Sequence, residues 1–218
     1  MLTKILFFFI FINSISFGQF NHVVLFDNGK IKEQGQLDSD GMKVGEWKEY
    51  YENEQLFCSG KYQNDLATQE WRYYYENGTL AKIRNYKKNI QVGEFKSFYK
   101  SGCLESIGNY ENHKPVGKWY EYYDSGKCVS DSTKLNQQLK EVGIFKDGNR
   151  EGEWNFYYEN GQLHTVIKYK NDIIVDGEYK FYHNNGKLEG RGKFKNGNQI
   201  GEWKHFNEKG DLIRTKNH

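Results

Sequence analysis

Apolar and polar residues alternate along most of the chain, and the alternation recurs in blocks of about 24 residues. The stretch GEWNFYYENGQL, residues 152–163, shows the repeating unit: an aromatic-rich run to Tyr158, then Glu159-Asn160-Gly161, then Leu163. Alternation with a period of two predicts a β-strand. Asn-Gly between two such runs predicts a tight hairpin turn. Each unit is therefore interpreted as one β-hairpin with a first arm, a turn and a return arm.

Seven copies of this unit follow one another, starting near residues 45, 69, 93, 117, 152, 177 and 201. An aromatic residue two positions after each start marks the copies, and these residues are Trp47, Trp71, Phe95, Trp119, Trp154, Tyr179 and Trp203. Residues 20–44 form a half-copy that starts the array. One copy buries too little apolar surface to offset the entropy of ordering it, so the copies are expected to stack.

This organisation predicts an all-β fold: an elongated single antiparallel sheet of tandem β-hairpins over residues 20–212, without a helical layer. The last two copies become more polar, with His183 and then Asn207 replacing the tyrosine of earlier copies. We therefore expect residues 201–218 to cap the array and residues 213–218 to form a frayed tail.

Two rows of aromatic residues follow from the alternation in the first arms. The tryptophan positions and the row Tyr51, Tyr75, Tyr99, Tyr123 and Tyr158 fall on one face of the sheet. The adjacent positions fall on the other face, and they are Tyr50, Tyr74, Phe98, Tyr122, Tyr157, Tyr182 and Phe206. Either both rows are core ladders or one is partly exposed, and the row from Tyr50 to Tyr182 is the candidate recognition surface.

One copy is interrupted by an insertion. Trp119 and Trp154 are 35 residues apart, so residues 127–142 contain 11 extra residues. Leu135 and Leu139 fit one side of a short helical turn, but the neighbouring Asn and Gln residues also suit a loop. Insertions in repeat proteins often lie on the binding side, so both leucines join the candidate recognition surface. The alternative is an insertion without a role in binding.

The first 18 residues have the layout of a secretory signal peptide, with a predicted cut between Gly18 and Gln19. Lys4 precedes an apolar run from Ile5 to Ile12. This run is shorter than the ~20 residues of a membrane-spanning helix. We therefore expect an exported protein, located in the periplasm, at the cell surface or outside the cell.

The three cysteines are an odd number for a chain that would meet an oxidising compartment. Cys103 and Cys128 occupy nearby positions in successive copies, which a hairpin array places two strands, or about 9.5 Å, apart. A disulfide needs α-carbons within roughly 7 Å. The spacing therefore predicts free cysteines packed in the strands.

The charge distribution and the motif search favour a non-catalytic binding role. The 31 basic and 29 acidic residues are evenly spread, which argues against nucleic acid and anionic membranes as partners. No catalytic, nucleotide-binding or metal-binding motif occurs, so we expect no enzymatic activity, no cofactor and no metal. Glutamates follow the glycines at the start of most copies, and they are expected to be cross-strand partners of lysines. They are Glu46, Glu94, Glu153, Glu178 and Glu202.

The phrase GEWxxYYENGxL, followed by GxYxNG at this period, resembles the bacterial MORN-repeat variant family, whose members include YwqK-type antitoxin components. The likeness covers residues 25–212, with Glu54 and Gln69 in two glycine positions and the insertion as departures. It implies an antiparallel hairpin array that works by binding, with no catalytic residues.

The leading functional hypothesis is an exported, non-catalytic repeat protein that binds an unidentified protein partner or serves as an envelope scaffold. An antitoxin or immunity protein that neutralises a cognate toxin is the first alternative, although a neutraliser of a cytosolic toxin should not be exported. Association with a lipid surface is the second alternative. The balanced charge disfavours it.

Overall fold

The computed structural model describes residues 20–126, 128 and 137–218. The predicted signal peptide, its cleavage site at Gly18 and Gln19, and Leu135 lie outside the described residues. Within the described ranges the regular structure is entirely β-strand, and no helix there has the length and apolar character to cross a membrane.

Eighteen strands follow one another along the chain. The first nine are β1 (Phe20–Leu25), β2 (Ile31–Leu37), β3 (Lys43–Tyr50), β4 (Leu56–Gln63), β5 (Leu66–Tyr74), β6 (Leu80–Lys87), β7 (Ile90–Gln91), β8 (Gly93–Phe98) and β9 (Leu104–Glu111). The others are β10 (Lys114–Tyr122), β11 (Leu139–Lys146), β12 (Asn149–Tyr157), β13 (Leu163–Lys170), β14 (Ile173–Ile174), β15 (Gly177–Tyr182), β16 (Leu188–Lys195), β17 (Asn198–Phe206) and β18 (Leu212–Asn217).

The strands form one antiparallel meander in chain order, from the pair β1–β2 to the pair β17–β18. Two interruptions occur, because β6 pairs with both the short β7 and β8, and β13 pairs with both the short β14 and β15. The expected single antiparallel sheet of tandem hairpins is confirmed.

A tryptophan of the first arm lies against a glycine of the preceding return arm. A Cβ atom at Gly60 would stand 2.1 Å from the Trp71 ring, and equivalent clashes recur at Gly35, Gly108, Gly143 and Gly192. Each of these glycines lies where the strand register shifts, at a β-bulge. The bare glycine backbone therefore provides the space that the indole fills.

Two internal copies lack the return-arm glycine, and in both the ring of the following copy is smaller. Arg84 and Ile167 stand at the glycine position of their return arms, paired with Trp71 and Trp154 of the same hairpins. The aromatic residue of the following copy is smaller in both cases, Phe95 after Arg84 and Tyr179 after Ile167. The short strands β7 and β14 occur at these two places. Ring size and side-chain size at the glycine position are thus complementary.

The aromatic residues of the return arms complete the core. Tyr62 stands edge-on to Trp47 and Trp71, with ring centroids 5.9 and 5.0 Å away. Phe145 makes the same contacts with Trp119 and Trp154, at 5.6 and 4.9 Å. Each such pair contributes about 0.5–1.5 kcal/mol beyond its buried area. The core is therefore a column of alternating perpendicular rings. All seven marker aromatics in it, from Trp47 to Trp203, are buried.

The tyrosine row that shares the tryptophan face links each copy to the next. The hydroxyl of Tyr51 donates to the carbonyl of Tyr74 at 2.8 Å, and Tyr75 donates to Phe98 at 2.8 Å. Tyr99, Tyr123 and Tyr158 repeat the bond, and the Nε2 of His183 contacts the carbonyl of Phe206 at 2.8 Å. These side chains thus satisfy backbone groups that lie beyond the regular ladder.

The turns at both edges of the sheet provide further links between copies. Asp65 and Lys43 exchange two hydrogen bonds. The Asp65 N–H donates to the Lys43 carbonyl, and the Lys43 N–H donates to Asp65 Oδ1 at 2.7 Å. Both Asn64 and Asp65 have positive φ, as the twisted two-residue hairpin turn requires. At the opposite edge, Asn53 Nδ2 donates to the carbonyl of Glu76 at 3.0 Å. Polar turn residues therefore determine the spacing of the copies.

The two departures from glycine keep the glycine conformation. Glu54 has φ 68° and Gln69 has φ 61°, values in the left-handed region that side chains rarely adopt. The turn bond from the Glu54 N–H to the carbonyl of Tyr51 and the pairing of Gln69 with Tyr86 maintain this backbone within each hairpin, in spite of the residue type.

The C-terminal copy lacks the features that link a copy to a successor. Lys216 occupies the position of the return-arm glycine, Asn207 that of the tyrosine, and Lys209 that of the turn asparagine. The expected frayed tail from residue 213 is wrong, because β18 pairs with β17 and Gly201 exchanges two backbone hydrogen bonds with His218. This last strand is exposed throughout.

The prediction of free cysteines is wrong for two of the three. Cys103 and Cys128 form a disulfide, with their α-carbons 5.1 Å apart. Cys128 lies outside the strands, after the turn at Gly126, so the two-strand separation does not apply to it. Cys58 is free and 3% exposed, packed in the core beside Trp47 and Trp71. Burial raises the pKa of the Cys58 thiol to about 12.

We expect Gly60→Ala to destabilise the fold by about 1–3 kcal/mol, because the new methyl group overlaps the Trp71 ring. Trp71→Phe should lower the free energy of unfolding less in the Gly60→Ala background than in the wild type. The chain already combines a side chain at the glycine position with a smaller ring in Arg84 and Phe95. Urea unfolding of the four proteins of this double-mutant cycle measures the coupling. Gly190→Ala is the control, since its Cβ would meet only ordinary contacts at 3.5 Å. Additive costs would contradict the size complementarity.

Tyr75→Phe should lower the free energy of unfolding by about 1 kcal/mol, because the carbonyl of Phe98 loses its donor. Tyr182→Phe is the matched control, since its hydroxyl makes no hydrogen bond among the described residues. Equal effects of the two substitutions in urea unfolding would contradict a linking role for the tyrosine row.

The protein purified without reductant should release one thiol on denaturation, from Cys58, and none in its native state near pH 8, where the buried thiol stays protonated. Reduction should lower stability by ~3 kcal/mol, the loop entropy expected for a separation of 25 residues. A thiol assay in guanidinium checks this count, and three thiols without reductant would show that the disulfide is absent.

Candidate functional site

The sheet has two faces with different chemistry. The tryptophan face carries the seven marker aromatics and the return-arm rings that pack with them. The opposite face carries the second aromatic row, and each of its members is paired across the strands with an aliphatic residue. The pairs are Tyr50–Leu56, Tyr74–Leu80, Phe98–Leu104, Tyr122–Leu139, Tyr157–Leu163, Tyr182–Leu188 and Phe206–Leu212. We call this side the leucine face.

The candidate row from Tyr50 to Tyr182 therefore lies on the leucine face, where its rings are half-buried and Tyr122 is 9% exposed. Leu139 belongs to the same stripe, because it begins β11 and pairs with Tyr122. Leu139 is thus the leucine that every copy carries, and the expectation that it lines a helical turn of the insertion is wrong. The chain re-enters the sheet at this residue, so the insertion ends before it.

Among the described residues, ion pairs flank the stripe in three copies. Glu70 pairs with Arg72 at 2.7 Å, and Glu94 with Lys96 at 2.7 Å. Glu202 and Lys204 form the same contact at 3.0 Å. These ion pairs join neighbours of one strand, two residues apart, whereas a cross-strand pairing was expected. Backbone register does place other glutamates opposite lysines, as in Glu46 and Lys61. A solvated charged surface is therefore the rule on this face.

The copy that starts near residue 117 breaks this rule. Lys118 stands where the other six copies have glutamate, and Tyr120 stands where they have Lys, Arg or Asn. Tyr120 stacks on Tyr122 with centroids 6.5 Å apart, and the Lys118 ammonium lies 5.1 Å from the Tyr120 ring centroid. Ile144 replaces the Lys or Asn of the other return arms and is 50% exposed. This copy thus carries Tyr120 and Ile144 at positions where the other full copies carry charged or polar side chains.

These changes create one continuous apolar area on the leucine face. Ile107 and Val142 pair with Tyr120 from its two sides, and Ile144 pairs with Lys118. We define the central patch as Ile107, Tyr120, Tyr122, Val142 and Ile144. Ile107 belongs to the return arm of the preceding copy, and the other four residues belong to the copy that carries the insertion. The disulfide joins these same two copies, so the patch, the insertion and the disulfide lie next to one another.

The local disulfide and its neighbours connect the insertion to the sheet beside this patch. Cys103 and Cys128 join the turns of two successive copies. The Gln137 side chain accepts from the N–H of Leu104 at 2.9 Å and donates to its carbonyl at 2.8 Å, in the manner of a strand. The two ends of the insertion are thus held against the sheet edge.

No group of three or more His, Cys, Asp or Glu side chains in the described residues has the arrangement to hold a metal ion. Glu141, on the tryptophan face, is buried and paired with Arg150 at 2.9 Å. Desolvation raises the pKa of Glu141, and the Arg150 guanidinium opposes that rise. Arg150 also lies 4.4 Å from the Trp154 ring centroid, so this pair is part of the core packing.

Sequence reasoning located the two rows and the unusual copy, but it missed the residues of the central patch other than Tyr122. The signal was present, since aligning the seven copies shows Lys118, Tyr120 and Ile144 as exceptions at otherwise charged or polar positions. That these exceptions share one face becomes clear only from the strand register.

A family model, MORN repeat variant, matches residues 43–64, 70–88, 91–112, 150–171 and 175–196. The copy that carries the central patch lies between the third and fourth of these stretches. No curated protein matches the sequence significantly. The matched stretches coincide with five hairpins of the sheet, β3–β4, β5–β6, β8–β9, β12–β13 and β15–β16. The chain therefore belongs to the MORN repeat variant family.

Proposed function

We propose that this chain is an exported, non-catalytic repeat protein that binds a protein partner through the central patch of its leucine face. The observation that carries the proposal is that Tyr120 and Ile144 replace charged or polar side chains in one copy of an otherwise polar surface. Because the other copies show that lysine is compatible with the fold at both positions, the fold does not require these apolar side chains.

The composition of the patch suits a protein partner. Aromatic residues are enriched in the centres of protein interfaces, and the Tyr120–Tyr122 stack offers a rigid apolar anchor. The adjacent Lys118, without the glutamate of the other copies, favours a partner with an acidic residue beside its apolar contact. The flanking ion pairs of neighbouring copies would form the polar rim.

The disulfide supports export. Disulfides persist in oxidising compartments and are rare in the cytosol, so the Cys103–Cys128 pair agrees with the signal-peptide layout of the first 18 residues. We therefore place the binding event in the envelope or outside the cell.

We expect the mature protein, residues 19–218, to retain a specific protein from envelope or secreted fractions. The variant Tyr120→Lys with Ile144→Lys should lose that protein, because it restores the charged surface of the other copies. Quantitative mass spectrometry of crosslinked, immobilised protein measures the retained fraction. A loss of at least tenfold is expected from removing two central apolar contacts.

The matched control is Val23→Lys with Ile213→Lys, which makes the same change at two residues that are 53% and 64% exposed outside the patch. This control should retain the partner. If no protein distinguishes the wild type from the patch variant, or if the control loses the partner equally, binding through the central patch is wrong.

A further inference from the structure

The cations of the tryptophan face differ in their partners. Lys43 pairs with Glu33 at 3.0 Å and Arg150 with Glu141 at 2.9 Å, and each cation lies over a tryptophan ring. Arg84, in the middle of the same face, has no carboxylate within 4.0 Å among the described residues. Its Nη1 has only a long contact of 3.5 Å with the Tyr86 hydroxyl. The buried Nε–H of Arg84 has no hydrogen-bond partner there.

A second cation stands beside Arg84. Lys82 is two residues earlier on β6, so it projects from the same face about 7 Å away. It is exposed and makes no ion pair among the described residues. Lys82 pairs across the strands with Tyr73 on one side and Ser97 on the other. The two cations are thus surrounded by hydroxyl groups and aromatic rings.

Carboxylates are distant from this pair along the row of Lys82. The nearest in the row are Glu49 on one side and Glu121 on the other, each three strands from Lys82. Three strand spacings amount to about 14 Å, beyond the screening length at physiological salt. Glu105, next to Ser106 on β9, is nearer and acts electrostatically on Tyr75 and Tyr99 of this face. The charges of Lys82 and Arg84 are therefore not balanced by a carboxylate of the Lys82 row, although the chain as a whole is nearly neutral.

A second copy shows that the fold does not require these cations. Strand β13 has the same place in its copy as β6, and a short strand follows each of them, β14 and β7. The residues that correspond to Lys82 and Arg84 are Thr165 and Ile167. Both are buried, and the Thr165 hydroxyl donates to the carbonyl of Lys180 at 2.9 Å. The same interruption of the sheet thus forms with neutral residues.

We propose that Lys82 and Arg84 form a binding site for an oxyanion group of a small ligand on the tryptophan face. The guanidinium and the ammonium supply charge-assisted hydrogen bonds, which are the strong ones for phosphate, sulfate or carboxylate oxygens. The hydroxyl of Tyr86 lies beside the guanidinium as a further donor, whereas the buried Ser97 hydroxyl already shares a hydrogen bond with Ser106 Oγ at 2.8 Å. Two positive charges favour a doubly charged group, phosphate or sulfate, over a carboxylate.

The phenols of Tyr73 and Tyr110 stay protonated at neutral pH. Burial raises the pKa of Tyr73 well above its usual value, and the hydrogen bond with Tyr86 adds to the rise. Burial also raises the pKa of Tyr110, and Arg84 partly offsets it. Neither of these two phenols therefore competes as an anion with the ligand for the guanidinium.

The test is an NMR titration of the isotope-labelled mature protein with inorganic phosphate, sulfate and acetate, at an ionic strength held constant with sodium chloride. The Nε–H of Arg84 is buried and thus directly observable. We expect a saturable shift of this resonance and of the Lys82 and Ser97 amides, with phosphate or sulfate binding at least threefold more tightly than acetate. No saturable shift with any of the three would overturn the proposal.

The control variant is Lys82→Thr with Arg84→Ile, which gives β6 the residues that β13 already carries. It should fold with a similar thermal midpoint and show at least tenfold weaker binding of the preferred anion, followed through the Ser97 amide. If the variant does not fold, Lys82→Thr alone replaces it, and a threefold loss is expected. If the variant used binds the anion with unchanged affinity, the observed shifts come from an adventitious ion only and the proposed site is wrong. This site is independent of the central patch, since it lies on the opposite face.

Discussion

The rest of the structure depends on the contact between an indole ring and a bare glycine backbone. Because glycine has no side chain, the ring of Trp71 covers Gly60 directly, and the bulge at that glycine brings the two arms into the required register. Once the ring is in place, Tyr62 stands perpendicular between two tryptophans. The position of one ring thus determines its neighbours on both sides.

Two copies without the glycine show that the contact between indole and backbone is limited by side-chain size. Arg84 and Ile167 fill the glycine space, and the copies that follow them use Phe95 and Tyr179. At both places the sheet is interrupted by a two-residue strand, and the column of perpendicular rings breaks between Tyr86 and Phe95 and again before Tyr179. The sheet therefore tolerates a larger side chain only where its register is relaxed.

The same hydrogen bonds between successive copies repeat along the array. The two proposed binding sites lie where residues differ from the repeat. The tyrosine hydroxyls and the turn residues bind each copy to the next with the same geometry, so a residue that follows the pattern serves the fold. Residues that depart from it are free of that role. The central patch and the pair Lys82 and Arg84 both differ from the repeat pattern. Other copies carry different residues at the same positions and fold in the same way, so the fold does not require either feature.

The sequence by itself determined the fold class, the number of hairpins and the assignment of the two aromatic rows to opposite faces, because strand alternation and turn residues act locally and repeat with the copies. It also identified Tyr122 and the copy with the insertion. Only the tertiary structure decided the Cys103–Cys128 disulfide, the pairing of Leu139 with Tyr122, and the unpaired state of Arg84. These depend on the path of a loop and on contacts between strands far apart in sequence. A local pattern of alternation contains no information about such distances.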